Sequence, residues 1–296
     1  MRFVIAGGSG FLGSHLTGHL RASGHEVTQL VRRTPTSPDQ SQWQPADGLI
    51  DADVVAAADV VVNVAGSPTV GNPHSSRWAR ELRESRVDTT RLLAETIAAT
   101  GGSPAFLAGN AVGYYGDHGS EPVTEASDST GDSLMARVTR EWQAASEPAA
   151  ASGARVCVLR TAPVMDRSAP PLKQLRVLFK LGLGARLGDG LQYFPMVSLR
   201  DWLGAVTALA TDEQAEGPFN ICCPETPTNA EFTRALARLV SRPAFLVAPK
   251  RVLTVAGGDA APELLNSMNV RPQALLDRGY GFSDRDVTSV LATGLA

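Results

Sequence analysis

The chain has 296 residues, and its 27 basic and 30 acidic side chains give a formal net charge of −3. Such a balance provides no basic surface for a phosphate backbone, so we do not expect nucleic-acid binding. With 43% hydrophobic and 19% charged residues, the composition is that of an ordinary globular protein, and no apolar run reaches the length of a membrane span. A predicted strand begins almost at once, leaving no room for a signal peptide, so we expect a cytoplasmic protein without membrane attachment.

Short apolar runs rich in β-branched residues alternate with longer segments of helical character. The predicted strands are 3–6, 27–31, 60–64, 105–108 and 156–159, and the predicted helices between them are 12–23, 77–100 and 134–151. Segment 34–45, with three prolines, is predicted to be a surface loop. Strands that are apolar throughout and separated by helices indicate an α/β fold with a doubly wound, Rossmann-type parallel sheet.

The three cysteines are Cys157, Cys222 and Cys223. Their number is odd, and their spacing is not one that holds a metal ion. We therefore expect three buried thiols and no metal site.

A glycine-rich turn follows the first predicted strand, with Gly7, Gly10 and Gly13 spaced as G-x-x-G-x-x-G before a helix. Glycine permits a tight turn and close approach of a pyrophosphate, and the helix N-terminus offers unpaired N–H groups and a positive dipole. Because the motif stands between a strand and a helix, it predicts dinucleotide binding. The residues predicted to contact the cofactor here are Gly7, Ser9, Gly10, Phe11, Leu12 and Gly13.

Two arginines, Arg32 and Arg33, end the second predicted strand. Proteins that bind NAD usually carry an acid at this place, about 20 residues after the glycines, to bind the ribose 2′-hydroxyl. Two guanidinium groups suit a 2′-phosphate instead, so the sequence predicts NADP(H) as the cofactor. The alternative is a solvated basic strand end that binds nothing.

After about residue 160, prolines, glycines and isolated helices replace the regular alternation. We predict an NADP-binding Rossmann domain over 1–165, with strands that can continue to about 225, and a smaller substrate-binding C-terminal lobe over 166–296. This lobe contains four cationic side chains that fit either a diphosphate site or the solvent-exposed face of an amphipathic helix. They are Lys173, Arg176, Lys180 and Arg186.

Several short motifs extend along the chain. They are VNVAG (62–66), RW (77–78), SRV (85–87), AVGYYG (111–116), TE (124–125), FN (219–220), TNAEF (228–232), RP (242–243) and RP (271–272). Together with the glycine turn they resemble the extended branch of the short-chain dehydrogenase/reductase superfamily. Within that branch they are most similar to an epimerase-like family with its own C-terminal domain.

The resemblance implies roles for further residues. Ala65 and Gly66 would line the cofactor ribose, and Pro163 and Val164 would flank the nicotinamide. Asn110 would also lie beside the cofactor.

The superfamily's Ser-Tyr-Lys triad is missing, although its members use the tyrosine as proton donor or acceptor, the lysine to lower the tyrosine pKa, and the serine to bind the carbonyl oxygen. Aligning Tyr115-Gly116 with the superfamily's Tyr-Gly pair places Ala111 in the serine slot. The tyrosine and lysine slots then hold Met135 and Thr139. A substitute proton source is needed, because an unassisted alkoxide in a dry pocket is costly.

The sequence leaves the substitute open. Asn110 could act as a neutral donor to an oxyanion, and Tyr114 or Tyr115 as a displaced acid, although packing is the commoner role for both tyrosines. A water chain or the substrate itself is also possible, because a carbonyl hydrogen-bonded to its own neighbouring phenol stabilises its own alkoxide. The candidates for substrate contact are Arg86, Met135, Phe194 and Met196.

Three functions remain open from the sequence. The first is NADPH-dependent reduction of a ketone on a bulky, largely apolar, aromatic polyketide substrate in secondary metabolism. The second is an epimerase or dehydratase acting on a nucleotide sugar, which the missing tyrosine base weakens. The third is a non-catalytic NADP-binding sensor. In each case the expected partner is a small molecule, and the oligomeric state does not follow from the sequence.

Overall fold

The computed structural model describes residues 1–69, 71–72, 74–101, 104–258 and 261–296, apart from the side chain of Ala256. The strands are β1 (Arg2–Ala6), β2 (Glu26–Val31), β3 (Gln40–Gln42), β4 (Val60–Asn63), β5 (Ala105–Ala111), β6 (Pro122–Val123), β7 (Val156–Thr161), β8 (Val164–Met165), β9 (Ala185–Leu187), β10 (Val197–Ser198), β11 (Gly217–Ile221), β12 (Leu246–Ala248) and β13 (Asn269–Val270).

The helices are α1 (Phe11–Ala22), α2 (Ala52–Ala56), α3 (Ser76–Ala99), α4 (Leu134–Ala144), α5 (Glu147–Ala151), α6 (Leu172–Lys180), α7 (Leu199–Thr211), α8 (Asn229–Leu239), α9 (Lys250–Gly257), α10 (Ala261–Leu265), α11 (Gln273–Asp277) and α12 (Val287–Leu295). Short 3₁₀ turns occur at Pro45–Asp47 and Val112–Tyr114.

Within the described residues, seven strands form the central sheet in the order β11-β7-β5-β4-β1-β2-β3. Strand β1 pairs in parallel with β2 on one side and with β4 on the other. Strand order reverses around β1, because the chain first moves outward to β2 and β3 and then returns to β4 and β5. This is a doubly wound, Rossmann-like α/β sheet, as the alternation of apolar runs and helices predicted.

Two details of the predicted elements were wrong. The predicted loop 34–45 contains β3, which pairs in parallel with β2 and is followed by the buried Trp43. An edge strand needs a partner on one side only, so its polar sequence gave no apolar signal. The predicted helix 134–151 is divided into α4 and α5. Pro148, which has no N–H to donate, lies in the first turn of α5 and prevents one continuous helix.

The chain divides into two compact units by its internal contacts. Unit 1 comprises 1–110, 138–159 and 206–218, and unit 2 comprises 111–137, 160–205 and 219–296. The main core of unit 1 packs apolar residues of β1, β4, β5 and β7 against α3. Unit 2 has one core built on α6, α8 and α12, and a second around Tyr115, Val123 and Val270.

The three cysteines are free thiols, and each is buried, as predicted. Burial raises the pKa of Cys223 to about 12, so this thiol stays protonated and unreactive at neutral pH. In the described part of the chain, no helix has both the length and the apolar character that a membrane crossing requires.

Candidate functional site

The glycine turn after β1 has the geometry that its spacing predicted. Gly7 has a φ of +86°, a left-handed conformation that favours glycine. A Cβ on Gly7 would lie 2.7 Å from the backbone nitrogen of Ala65. A Cβ on Gly13 would lie 2.2 Å from the carbonyl oxygen of Gly7, so α1 packs directly against the turn. Neither position has room for a side chain, and the exposed Ser9 and Gly10 form the tip of the turn.

The N-terminus of α1 is suited to bind an anion. Its N-cap residue is Gly10, no side chain of the described residues caps it, and its first turn contains no acidic residue. The first backbone N–H groups of a helix have no partner within the helix, and the helix dipole adds partial positive charge. Phe11 and Leu12, both half-buried, belong to this first turn. The arrangement fits the pyrophosphate of a dinucleotide.

Arg32 and Arg33 are exposed where β2 ends. Arg33 Nη1 donates to Thr36 Oγ1 at 2.9 Å, and the carbonyl oxygen of Arg32 accepts from Gln44 Nε2 at 2.8 Å. Neither guanidinium forms an ion pair among the residues that the structure describes. Two cations therefore stand at the strand end that, in this fold, usually lies beside the adenosine ribose.

The loop after β4 is held in place by Asn63, which the sequence analysis did not single out. The Asn63 side chain is fully buried and donates to Thr90 Oγ1 at 2.8 Å. Its Oδ1 accepts the backbone N–H of Ala65 at 3.0 Å. Asn63 therefore orients the backbone at Ala65, which with the exposed Gly66 is what the resemblance assigned to the cofactor ribose. The asparagine in the VNVAG motif was the signal for this role.

Arg86 supports the same loop from α3. Its Nη2 donates to the carbonyl oxygen of Ser67 at 3.0 Å, and its Nη1 donates to that of Leu82 at 2.9 Å. Its guanidinium also lies 5.3 Å from the centre of the Trp142 ring. Burial lowers the pKa of Arg86 to about 10, and the side chain is only 6% exposed. These contacts are those of a structural residue within unit 1, and they argue against the predicted substrate contact.

The slots of the missing triad contain no acid or base. Thr139, in the lysine slot, is fully buried, and its carbonyl oxygen accepts from Asn110 Nδ2 at 3.0 Å. This bond joins the end of β5 to α4 and commits one N–H of the Asn110 amide to the backbone. Ala111, in the serine slot, and Met135, in the tyrosine slot, are both half-buried.

Tyr115 is locked in a buried hydrogen-bond network of unit 2. Its hydroxyl donates to Asn220 Oδ1 and accepts from Arg160 Nη1, both at 2.7 Å. The side chain is fully buried, and burial raises the pKa of Tyr115 to about 12. The hydroxyl proton is therefore engaged and hard to remove, so Tyr115 packs and is not the displaced acid. Glu125 completes the network, because its Oε1 accepts the backbone N–H of Asn220 at 2.9 Å.

We expect Tyr115→Phe to destabilise the protein by about 2 kcal/mol, because it leaves a buried Arg160 N–H and the Asn220 oxygen without their partner. Turnover per folded molecule should stay within about twofold of wild type. The matched control is Tyr193→Phe, since Tyr193 is half-buried and its hydroxyl has no hydrogen bond among the described residues. Denaturant unfolding of both variants checks the prediction, and equal losses would contradict it.

Tyr114 differs from its neighbour. It is half-buried, and the Arg160 guanidinium stacks 3.7 Å from the centre of its ring. Its backbone carbonyl accepts from the Ser129 hydroxyl. The described contacts involve its ring and backbone, so its hydroxyl remains a candidate proton donor.

The residues predicted after β7 lie in unit 2. The carbonyl oxygen of Pro163 accepts the backbone N–H of Val197 at 3.1 Å, and Val164 pairs with Val197 in the parallel ladder of β8 and β10. Phe194 is half-buried and packs edge-to-face on Phe232, with ring centres 5.2 Å apart. Met196 is fully buried in the same core. Met196 was predicted to contact the substrate, but its neighbours are apolar core side chains, which argues against that role.

The sequence matches the family described as "NAD dependent epimerase/dehydratase family" over residues 3–222. Residues 248–293 match a domain of unknown function, DUF1731. An epimerase family protein of Mycobacterium bovis is 37% identical over 289 residues, which cover 97% of this chain and 95% of that protein. Human epimerase family protein SDR39U1 is 33% identical and covers 98% of both chains.

Solved structures give the same relationship. The crystal structure of human SDR39U1 (isoform 2) with NADPH superimposes with a TM-score of 0.86 at 28% identity, covering 99% of both chains. A structure named nucleoside-diphosphate sugar epimerase from Corynebacterium glutamicum has a TM-score of 0.81 at 31% identity, and the match covers 99% of this chain and 58% of that one. With its glycine turn, its sheet order and relatives that span nearly its whole length, this chain belongs to the NAD-dependent epimerase/dehydratase family of extended short-chain dehydrogenases/reductases, among the SDR39U1-like members.

Proposed function

We propose that this protein is an NADPH-dependent reductase that acts on a ketone without the superfamily's usual tyrosine acid. The observation that carries the proposal is the combination of an intact cofactor cradle with a triad whose serine, tyrosine and lysine positions hold other residues. The cradle consists of the glycine turn, the uncapped α1 N-terminus and the two arginines after β2. The vacated slots hold Ala111, Met135 and Thr139.

The cofactor is NADP(H), which supplies a hydride when bound. The N–H groups at the start of α1 bind the pyrophosphate, and Arg32 and Arg33 bind the 2′-phosphate as planar donor forks. Asn63 and Arg86 keep Ala65 and Gly66 in place beside the ribose. SDR39U1, whose structure contains NADPH, shares this fold over 99% of both chains, which supports the same cofactor here.

The exposed side chains of unit 2 support an apolar, bulky substrate. Large apolar side chains are exposed there at Phe245, Leu246, Val247, Val252 and Val255. Where such side chains form a contiguous patch, it marks a binding surface. We propose a polyketide ketone as the substrate, such as an angucyclinone of the simocyclinone type, because a neighbouring phenol on such a ring stabilises the alkoxide from within the substrate. The enzyme then has to lower the activation barrier of the reduction mainly by orienting the hydride and the carbonyl carbon.

A nucleotide-sugar epimerase or dehydratase is the second candidate, and one observation favours it. The Nε atoms of Arg176 and Arg186 are buried, with no hydrogen-bond partner among the described residues. Lys173 and Lys180 are exposed on α6, as the wet face of an amphipathic helix would be. The Nε–H groups of the two arginines could therefore donate hydrogen bonds to a diphosphate. The absence of the tyrosine base weighs against epimerase or dehydratase chemistry.

The test is NADPH oxidation at 340 nm by the purified protein, against aromatic polyketide ketones and nucleotide-sugar ketones. We expect turnover with an aromatic ketone and none with the sugars. Conversion of a nucleotide sugar would favour the second candidate, and it is detected by product analysis because an epimerase or dehydratase regenerates its cofactor and consumes no net NADPH. Tight NADPH binding with neither ketone reduction nor sugar conversion would contradict both and indicate a non-catalytic NADP-binding sensor.

A further inference from the structure

A carboxyl group lies beside the slot that the superfamily's tyrosine would occupy. Gly113, in the turn after β5, separates the two: a Cβ built on it would lie 3.5 Å from Glu263 Oε2 and 3.4 Å from Met135 Cβ. Met135 stands in the tyrosine slot, and Glu263 comes from α10, about 130 residues further along the chain. All three residues belong to unit 2. Glu263 and the residue in the tyrosine slot thus pack against the same glycine.

The Glu263 carboxyl is in an environment that favours its neutral form. The residue is half-buried, and its carboxyl has no hydrogen bond or ion pair among the described residues. Desolvation alone raises the pKa of Glu263 to about 7. On the elements around it, Lys250 and Arg251 of α9 and Arg137 of α4 are exposed, and Tyr114 stacks on Arg160. None of these groups offsets the desolvation, so a large share of the carboxyl is protonated near neutral pH.

We infer that Glu263 is the proton donor of the proposed ketone reduction, a step that rests on the proposed function. The carbonyl carbon accepts a hydride from NADPH, which leaves as NADP⁺, and the carbonyl π pair moves to the oxygen. The Glu263 O–H bond breaks and its proton forms the new O–H bond of the alcohol. The resulting carboxylate takes up a proton from solvent before the next turnover, so charge and atoms balance.

Two of the other candidates for the acid, Tyr115 and Asn110, are less well placed. The Tyr115 hydroxyl donates a hydrogen bond to Asn220 and accepts one from the charged guanidinium of Arg160. Asn110 has one amide N–H committed to the Thr139 carbonyl, and an amide does not release a proton at neutral pH. A carboxylic acid whose pKa lies near the operating pH meets the usual requirement for general-acid catalysis. Glu263 therefore fills the role left by the tyrosine.

The test compares Glu263→Gln and Glu263→Asp with Glu225→Gln, a matched control at an exposed glutamate of unit 2. We expect E263Q to lower kcat roughly a hundredfold, the usual contribution of a general acid, while the Kd for NADPH changes less than about twofold. E263D should retain part of the activity, and E225Q should match wild type. Thermal unfolding of each variant confirms that it is folded.

The pH profile separates proton donation from a structural role. For wild type, kcat should be constant below pH about 7 and fall tenfold per pH unit above it, because the acid form is lost as pH rises through the pKa. In E263Q this inflection should be absent. An E263Q variant with wild-type kcat, or with a low kcat and an unchanged inflection, would overturn the assignment.

A readout that does not need turnover distinguishes this inference from the proposed function. Infrared difference spectra of wild type minus E263Q should show a protonated carboxyl that titrates near pH 7. If wild type reduces no ketone but this titration is seen, the proposed function fails and the carboxyl's placement stands. If wild type reduces ketones and the carboxyl titrates in the range usual for glutamate, the inference fails alone.

Discussion

Replacing Gly13 by alanine should nearly abolish NADPH binding while the protein stays folded. The added Cβ would lie 2.2 Å from the Gly7 carbonyl oxygen and 2.8 Å from the Gly8 Cα. Both are backbone atoms, so no side chain can move aside and α1 must shift away from the turn. The N–H groups at its start then lose their alignment with the pyrophosphate. Loss of two charge-assisted hydrogen bonds, each contributing about 1.5–3 kcal/mol, corresponds to a Kd at least about a hundredfold higher.

Gly18→Ala is the matched control, since Gly18 lies on the same helix and is exposed. A Cβ there would meet nothing within 4 Å. Alanine is the better helix former by about 1 kcal/mol, so we expect a slightly more stable protein with unchanged NADPH affinity. Fluorescence titration with NADPH and thermal unfolding measure both effects. Near-equal affinities of the two variants would show that the turn does not hold the cofactor.

Removing both Arg32 and Arg33 should convert a preference for NADPH into indifference between NADPH and NADH. Both guanidiniums are exposed at the end of β2, at the place where a 2′-phosphate would lie. Hydrogen bonds to a charged group contribute about 1.5–3 kcal/mol, so the R32A/R33A variant should bind NADPH about a hundredfold more weakly. Its Kd for NADH, which lacks the 2′-phosphate, should change less than about threefold.

The control for this pair is R80A/R91A, which removes the same charge from two exposed positions of α3 in unit 1. It should leave the affinities for both cofactors unchanged. Titrations at two salt concentrations add a second check, because the NADPH affinity of wild type should fall more steeply with salt than that of R32A/R33A. Equal losses of NADPH and NADH affinity in R32A/R33A would contradict the assignment of these arginines to the 2′-phosphate.

The parts of the fold that were predictable are those controlled by local sequence. Strand β4 is buried on both faces and begins with three valines, and an apolar run that shows no alternation is typical of the centre of a parallel sheet. The glycines at 7 and 13 were interpretable because their roles follow from missing side chains within one short turn. Strand β3 was not predictable, since its three polar residues are held by a neighbour that only the fold supplies.

The candidate site divides in the same way. The sequence by itself determined which residues stand in the glycine turn, after β2 and in the triad slots, and it predicted their roles, because each prediction depends on residue type at a fixed spacing along the chain. Only the tertiary structure decided that Tyr115 is held by Asn220 and Arg160, and that Glu263 and Met135 pack against the same glycine, Gly113. The physical reason is that these contacts join residues at least 45 positions apart, so the packing and desolvation that set their chemistry leave no local pattern in the sequence.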